Sequence, residues 1–305
     1  MSNLLLLVAC LAIGMLLQHS ARTPANAHQA LNAVILHVSL PAVTLRALHG
    51  FAFDPNQLWP VLMPWALFAV GAAAFWCLGR WLRLPRASVG ALTLVGGLGN
   101  TSFVGLPMIE SLHGRDGLGL GLLIDQLGSY LALATVGVLV AALYAGDAPA
   151  SRAAMLKKIA TFPPLIALVL AVALRGVPFA APVDAALARV GDTLAPLALL
   201  SVGLQLRLVA LRSQARLLSI GLGYKLVACP AIVFAVMWLL DAELDVTSHV
   251  SMIEAAMPPM IGAGIVAAEA RLDAPLVSTM IGVGIPLGLV TATLWHHAFA
   301  SVFAL

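Results

Sequence analysis

Gly96-Gly97-Leu98-Gly99-Asn100-Thr101-Ser102-Phe103-Val104-Gly105-Leu106-Pro107 interrupts a long apolar segment with four glycines, a proline and three adjacent hydrogen-bonding side chains. Gly and Pro continue a helix poorly, and backbone groups freed by a break cannot be hydrated in hydrocarbon. Such a break is stable only where it is packed in protein or lines a polar cavity. About 160 residues further on, Ala256-Met257-Pro258-Pro259-Met260-Ile261-Gly262-Ala263-Gly264 interrupts a second apolar segment in the same way. Two discontinuous helices whose half-helix ends face a bound solute are the arrangement that such a pair predicts. The chain therefore reads as a membrane transporter organised around these breaks.

Composition agrees. Of the 305 residues, 61% are hydrophobic and only 10% charged, and the mean hydropathy is +1.01. That balance excludes an ordinary soluble globule. The charged residues fall mainly in short gaps between apolar stretches, and these gaps leave no room for a soluble catalytic or nucleic-acid-binding module. The net charge of +3 reflects the Lys and Arg of membrane-protein loops rather than a polyanionic partner. Cys10, Cys77 and Cys229 lie in apolar runs without a CxxC spacing and read as buried thiols. Leu4 to Leu17 followed by Ala25-Asn26-Ala27 resembles a secretory signal and its cleavage site. Met1-Ser2-Asn3 lacks the positive charge of a signal's start, so the segment is kept as a span.

A spanning helix needs about 20 mostly apolar residues. On that criterion there are ten spans, at 2–19, 29–48, 58–79, 87–110, 117–144, 160–178, 188–209, 215–240, 246–269 and 275–303. Eleven Lys and Arg fall in the odd-numbered gaps and four, Arg46, Arg115, Arg175 and Arg189, in the even ones. The bias places the odd gaps in the cytoplasm and both termini outside. The most polar gap divides the chain into a first five-helix repeat, 1–145, a cytoplasmic linker, 146–159, and a second repeat, 160–305. An odd number of spans per half inserts the halves in opposite directions. Asn100 and Pro258 fall at nearly the same offset in their halves, and Pro41 and Pro196 form another matched pair. Position-matched breaks in oppositely oriented halves predict an inverted repeat with the site at the crossing.

Several residues offer chemistry there. Asn100, Thr101 and Ser102 present donors and acceptors beside unwound backbone. A half-helix N-terminus adds unpaired N–H groups and about half a positive charge, which suits a carboxylate. The alternative is that these side chains only satisfy the broken backbone. Asp125, with Gln126 beside it, and Glu254 each lie about eight residues into a span, where an ionisable group is read as functional by default. A carboxyl removed from water holds its proton more readily, so either could load and release one during a transport cycle. The alternative for both is a hydrated position at the membrane surface. Lys225, inside span eight, could neutralise an anionic solute, pair with a carboxylate, or snorkel to the cytoplasmic surface. Glu269 and Arg271 read as anchors at the end of span nine. The histidines show no metal-ligand constellation, and His296-His297 read as interfacial. Gly282, Gly284 and Gly288 suggest close helix packing.

Gly99 to Pro107, then His113-Gly114 and Asp125-Gln126, resemble the auxin efflux carrier family, which includes bacterial malonate and malate carriers. Pro196-Leu197-Ala198-Leu199-Leu200-Ser201-Val202-Gly203, Met257-Pro258, Ala267-Ala268-Glu269 through Asp273, and Ser278-Thr279 extend the resemblance over nearly the whole chain. It implies an all-α integral membrane fold of ten helices. The fourth and ninth would cross, as in bile acid–sodium symporters and sodium–proton antiporters. It also implies transport of small organic anions across a bacterial inner membrane. Asn100, Thr101, Ser102, Pro107, Pro258, Pro259 and Gly262 fall on the expected substrate-binding stretches, and Asp125, Glu254 and Lys225 are the coupling candidates. Family members often carry Asn where Gly262 stands and a small residue such as Thr or Ser where Pro259 stands. The amide contact from the second break is thus missing here.

The expected activity is secondary transport of a mono- or dicarboxylate by alternating access, driven by protons in preference to sodium, with no cofactor or metal; a homodimer is compatible with this reading. A sensor or scaffold that binds a carboxylate without moving it is the alternative. An intramembrane enzyme would need a pattern such as HExxH or Gly-x-Ser-x-Gly near a His, and neither is present. No ring of like charges or repeated filter suggests an ion channel.

Overall fold

The computed structural model describes residues 2–20, 22–24, 26–51, 58–145, 157, 160–206, 211–243 and 245–303. Nearly all of the linker expected at 146–159 lies outside the described residues, as do Ala25 and Arg207. Helices make up almost everything described: α1 (Ser2–Gln18), α2 (Ala27–His49), α3 (Leu58–Trp81), α4 (86–96), α5 (101–113), α6 (Leu118–Ala145), α7 (Pro163–Ala173), α8 (Ala181–Gln205), α9 (211–239), α10 (Val246–Ala255), α11 (Ile261–Glu269) and α12 (Ala274–Phe303). Six of these, α2, α3, α6, α8, α9 and α12, are long and apolar enough to cross a membrane. At 1.5 Å per residue, the 24 residues of α3 reach about 36 Å, more than the roughly 30 Å hydrocarbon core. Their outer faces carry exposed Leu62, Val70 and Trp76 on α3, Val236 on α9 and Val290 on α12. Such surface is at home in lipid. The chain is an all-α integral membrane protein.

Two groups of helices pack separately before they meet. In the first, α1 lies along α8, and α2 packs on α7 and α8. The α1–α8 contact is backbone on backbone: a Cβ on Gly14 would meet the Leu200 carbonyl at 2.5 Å and the Gly203 Cα at 2.9 Å. Small residues permit this approach where lipid supplies no hydrophobic drive. In the second group α3 packs on α6, α9 and α10 on α12, and α11 on α4. Ser88 Oγ donates to Asp273 Oδ2 at 2.7 Å, tying the start of α4 to the start of α12. At the opposite end Arg46 pairs with Asp184 and Arg115 with Asp192, each at 2.8 Å.

Some boundaries differ from expectation. The helix expected over 160–178 ends at Ala173, because Gly176 turns with φ 88° and Pro178 follows. The next helix starts at Ala181 rather than 188, with Pro182 in its first turn, where the missing N–H costs nothing. Cys10 and Cys229 are buried as expected, but Cys77 is exposed on the outer face of α3.

The crossing of two broken helices as candidate functional site

Between α4 and α5, and again between α10 and α11, the helix stops and the chain runs extended for a few residues. The two breaks are bonded to each other. Asn100 N donates to the Pro258 carbonyl at 2.7 Å, and Met260 N donates to the Leu98 carbonyl at 3.1 Å. Gly99 and Pro259 form an isolated antiparallel bridge between them. Asn100 closes its own side: Oδ1 accepts from Phe103 N at 3.2 Å, and its carbonyl accepts from Gly105 N at 3.1 Å. Each break thus supplies part of what the other lacks, which is how backbone freed in a hydrocarbon environment escapes the cost of an unmet hydrogen bond.

Buried polar side chains gather around this bridge. Thr101 Oγ1 and Ser102 Oγ both donate to Asp125 Oδ1, each at 2.5 Å. Their hydroxyls are thereby committed to a carboxylate of the protein itself. Gln126 turns the other way, its Nε2 donating to Thr44 Oγ1 of α2 at 2.8 Å. Lys225 Nζ donates to the Ala255 carbonyl at 3.2 Å, at the end of α10. The Glu254 carboxyl lies over Gly105, where a Cβ would meet Oε2 at 2.5 Å. Both of its oxygens are buried without a hydrogen-bond partner among the described residues. Asp125, Lys225 and Glu254 are 1%, 2% and 2% exposed, so neither a hydrated mouth for the carboxyls nor a snorkelling lysine describes them. Gly97, Gly99, Thr101, Ser129, Lys225 and Glu254 line a void of about 10 Å³. That is room for about one water molecule.

The local backbone explains how these groups converge. Thr101–Gly105, Ile124–Tyr130 and Tyr224–Ala228 are π-helical. The wider turn rotates the side chains that follow, and π segments recur at functional sites. Thr101 and Ser102, Asp125 and Ser129, and Lys225 all sit on such turns. Ser129, whose Oγ is buried without a partner, escaped the sequence reading. Its place four residues after Asp125, on the same helical face, was the available signal. Asn100 Nδ2 is likewise buried and unpartnered.

The remaining expected residues serve packing in this conformation. A Cβ on Gly288 would meet Pro258 Cβ at 2.5 Å, and one on Gly284 would meet Pro259 Cδ at 2.7 Å. The proline rings of the second break therefore seat on glycines of α12. Gly262 faces Leu133 of α6, whose Cδ2 lies 3.3 Å from the position of a Cβ. Pro107 is buried in the first turn of the α-helical part of α5.

Two features lie at the end of the bundle where α5 stops. A cavity of about 280 Å³ between α2, α5 and α8 is lined by Arg46, Glu110, Arg115, Asp184 and Asp192 among others. The expectation that the histidines form no metal-ligand constellation is corrected: His113, His249 and His296 converge, one ring nitrogen of each within 4.8 Å of the others. They come from three helices far apart in sequence, which is why spacing along the chain concealed them.

The sequence pattern of a family described as "Membrane transport protein" matches residues 1–296. A protein of Methanothermobacter thermautotrophicus described as an uncharacterized transporter is 28% identical over 271 residues, covering 87% of each chain. An uncharacterized transporter of Methanocaldococcus jannaschii is 25% identical over 275 residues, again 87% of each chain.

Proposed function

Because the chain belongs to the membrane transport protein family, which includes the auxin efflux carriers, we propose that it is a proton-coupled secondary carrier of a small mono- or dicarboxylate, working by alternating access. The family places it among transporters rather than enzymes. The observation that carries the finer reading is the bonded pair of broken helices beside buried Lys225, which shares its void with Glu254. α5 and α11 both begin at the crossing, and each N-terminus contributes about half a positive charge. With Lys225 they supply the field a carboxylate needs, and the free Nδ2 of Asn100 supplies a donor. Thr101 and Ser102 act one step removed, holding Asp125. Glu254 is the better proton carrier, since among the described residues no hydrogen-bond donor reaches its carboxyl oxygens.

A void of about 10 Å³ is far too small for a carboxylate, so the conformation described is a closed one. Solute admission requires the group α1, α2, α7 and α8 to move against the rest, and the 280 Å³ cavity opens along that seam. The reciprocal contacts support an inverted repeat: α1 on α8 and α2 on α7 exchange when spans one and two are mapped onto six and seven. On this reading the chain has ten spans, two of them broken, in a plasma membrane with both termini outside, as the Lys and Arg bias suggests. No cofactor is required, and a homodimer is compatible with the exposed apolar faces.

The test uses the purified protein in proteoliposomes. A panel of mono- and dicarboxylates, screened first by thermal stabilisation across pH, with and without sodium, supplies the solute. Wild type should show counterflow of that solute, and Asn100→Ala should abolish it without loss of protein from the membrane. Unchanged transport by Asn100→Ala would remove the site assignment, and saturable binding without counterflow would make the protein a sensor.

A further inference from the structure

We infer that His113, His249 and His296 form a binding site for one late first-row divalent cation, with Zn²⁺ the best match to the ligand set. The inference does not rest on the carrier reading. The three rings come from the end of α5, the first turns of α10 and the final third of α12, and their centroids form a triangle with sides of 5.1, 5.2 and 5.2 Å. One nitrogen from each lies within 4.8 Å of one from each of the others. On every ring a nitrogen is buried with no hydrogen-bond partner among the described residues: Nε2 of His113, Nδ1 of His249 and Nδ1 of His296. Packing alone gives no reason for this, since phenyl rings or leucines would fill the same space without stranding three polar atoms. Protonation is no remedy, because three imidazolium groups at this separation repel one another. A cation satisfies all three nitrogens at once.

The dimensions fit. Tetrahedral Zn²⁺ binds imidazole nitrogen at about 2.0–2.1 Å, which places ligand nitrogens about 3.3–3.4 Å apart. From separations within 4.8 Å, reaching that spacing takes an approach of at most about 1.5 Å. Imidazole is a ligand for Zn, Cu and Ni, while Mg and Ca prefer oxygen. The rings stand on well-anchored helix ends. His113 is followed by Gly114 at φ 62°, which stops α5. His249 lies one turn after Asp245, whose carboxylate caps α10 by accepting from Ser248 N at 2.7 Å. Phe299 closes the apolar side of His249, edge-on at a centroid distance of 5.3 Å. Three protein ligands leave a fourth position for water, the pattern of an open zinc site. His297, exposed and tilted 58° to His296 at a centroid distance of 5.6 Å, stands outside the triangle. A bound ion would clamp the second half of the first broken helix to the first half of the other and to α12.

The experiment takes the full chain, without a polyhistidine tag, purified in detergent and stripped with chelator. Equilibrium dialysis against Zn²⁺ should give one ion per chain, and Co²⁺ in its place should give the intense visible bands of a tetrahedral site. His249→Gln and His296→Gln should each weaken Zn²⁺ binding by at least about a hundredfold, while His297→Gln leaves it unchanged. The Co²⁺ spectrum is read on the wild-type chain and so does not depend on any variant folding. Absence of saturable Zn²⁺ binding, an octahedral Co²⁺ spectrum, or affinity unaltered in both single variants would overturn the assignment.

Discussion

Replacing Gly288 by Ala tests whether the crossing is held as described. The added Cβ would stand 2.5 Å from Pro258 Cβ and 3.0 Å from its Cγ and Cδ. A proline ring cannot rotate away, so reaching an ordinary contact of about 3.4 Å means moving Pro258 by roughly 0.9 Å. The Pro258 carbonyl accepts from Asn100 N at 2.7 Å. Stretched by the same amount, that bond would reach about 3.6 Å and cease to be one. Losing it costs about 1 kcal/mol net, and leaving its buried groups unpaired brings the total to about 2–4 kcal/mol. Against this, Ala in place of a helical Gly returns about 0.8–1.0 kcal/mol. Gly288→Ala is therefore expected to lower the unfolding free energy by about 1–3 kcal/mol and to depress counterflow. Gly223→Ala is the control, because nothing lies within 4 Å of the Cβ it would add. It should be neutral or stabilising by up to about 1 kcal/mol. Unfolding by SDS titration in mixed micelles gives the energies, and proteoliposomes give the flux. If Gly288→Ala is as stable as Gly223→Ala and transports like wild type, the close seating of Pro258 on α12 has no part in holding the two breaks together.

Glu254→Gln preserves shape and removes the ionisable group, so counterflow should persist while accumulation driven by an imposed pH gradient disappears. One proton per solute gives wild type about tenfold accumulation per pH unit, and a variant that still reaches it would acquit Glu254 of coupling. Thr101→Val removes a hydrogen bond to a carboxylate and should cost about 1.5–3 kcal/mol. In an Asp125→Asn background the loss should be smaller, and a double-mutant cycle with no coupling would separate Thr101 from Asp125. Arg115→Ala breaks a pair whose side chains are 52% and 57% exposed. Its effect on stability should stay within about 1 kcal/mol and vanish in high salt.

Much of the fold was legible along the chain, for a physical reason. Hydrophobic length and the demand that backbone be satisfied in lipid are local properties, and they marked the breaks at 96–107 and 256–264 as well as the apolar segments around them. The same logic singled out Asp125, Glu254 and Lys225, because charge inside an apolar run is visible without coordinates. What those side chains face was not legible. Thr101 and Ser102 read as candidate contacts for a solute, and that both donate to Asp125 in this conformation could not be read from the sequence. Pro258 and Pro259 read as site residues, and the seating of their rings on Gly288 and Gly284 was equally hidden. Such outcomes depend on how each helix is rotated about its axis, and three π-helical turns shift that rotation in a way no residue pattern announces.

The sequence by itself thus determined that the chain lives in a membrane, where its helices must stop, and which buried charges demand a purpose. Only the tertiary structure decided the partners: the bond from Asn100 to Pro258, the addition of Ser129 to the void and the meeting of His113, His249 and His296. Length and polarity are summed along a chain, whereas directional contacts between residues more than a hundred positions apart exist only once the helices have packed.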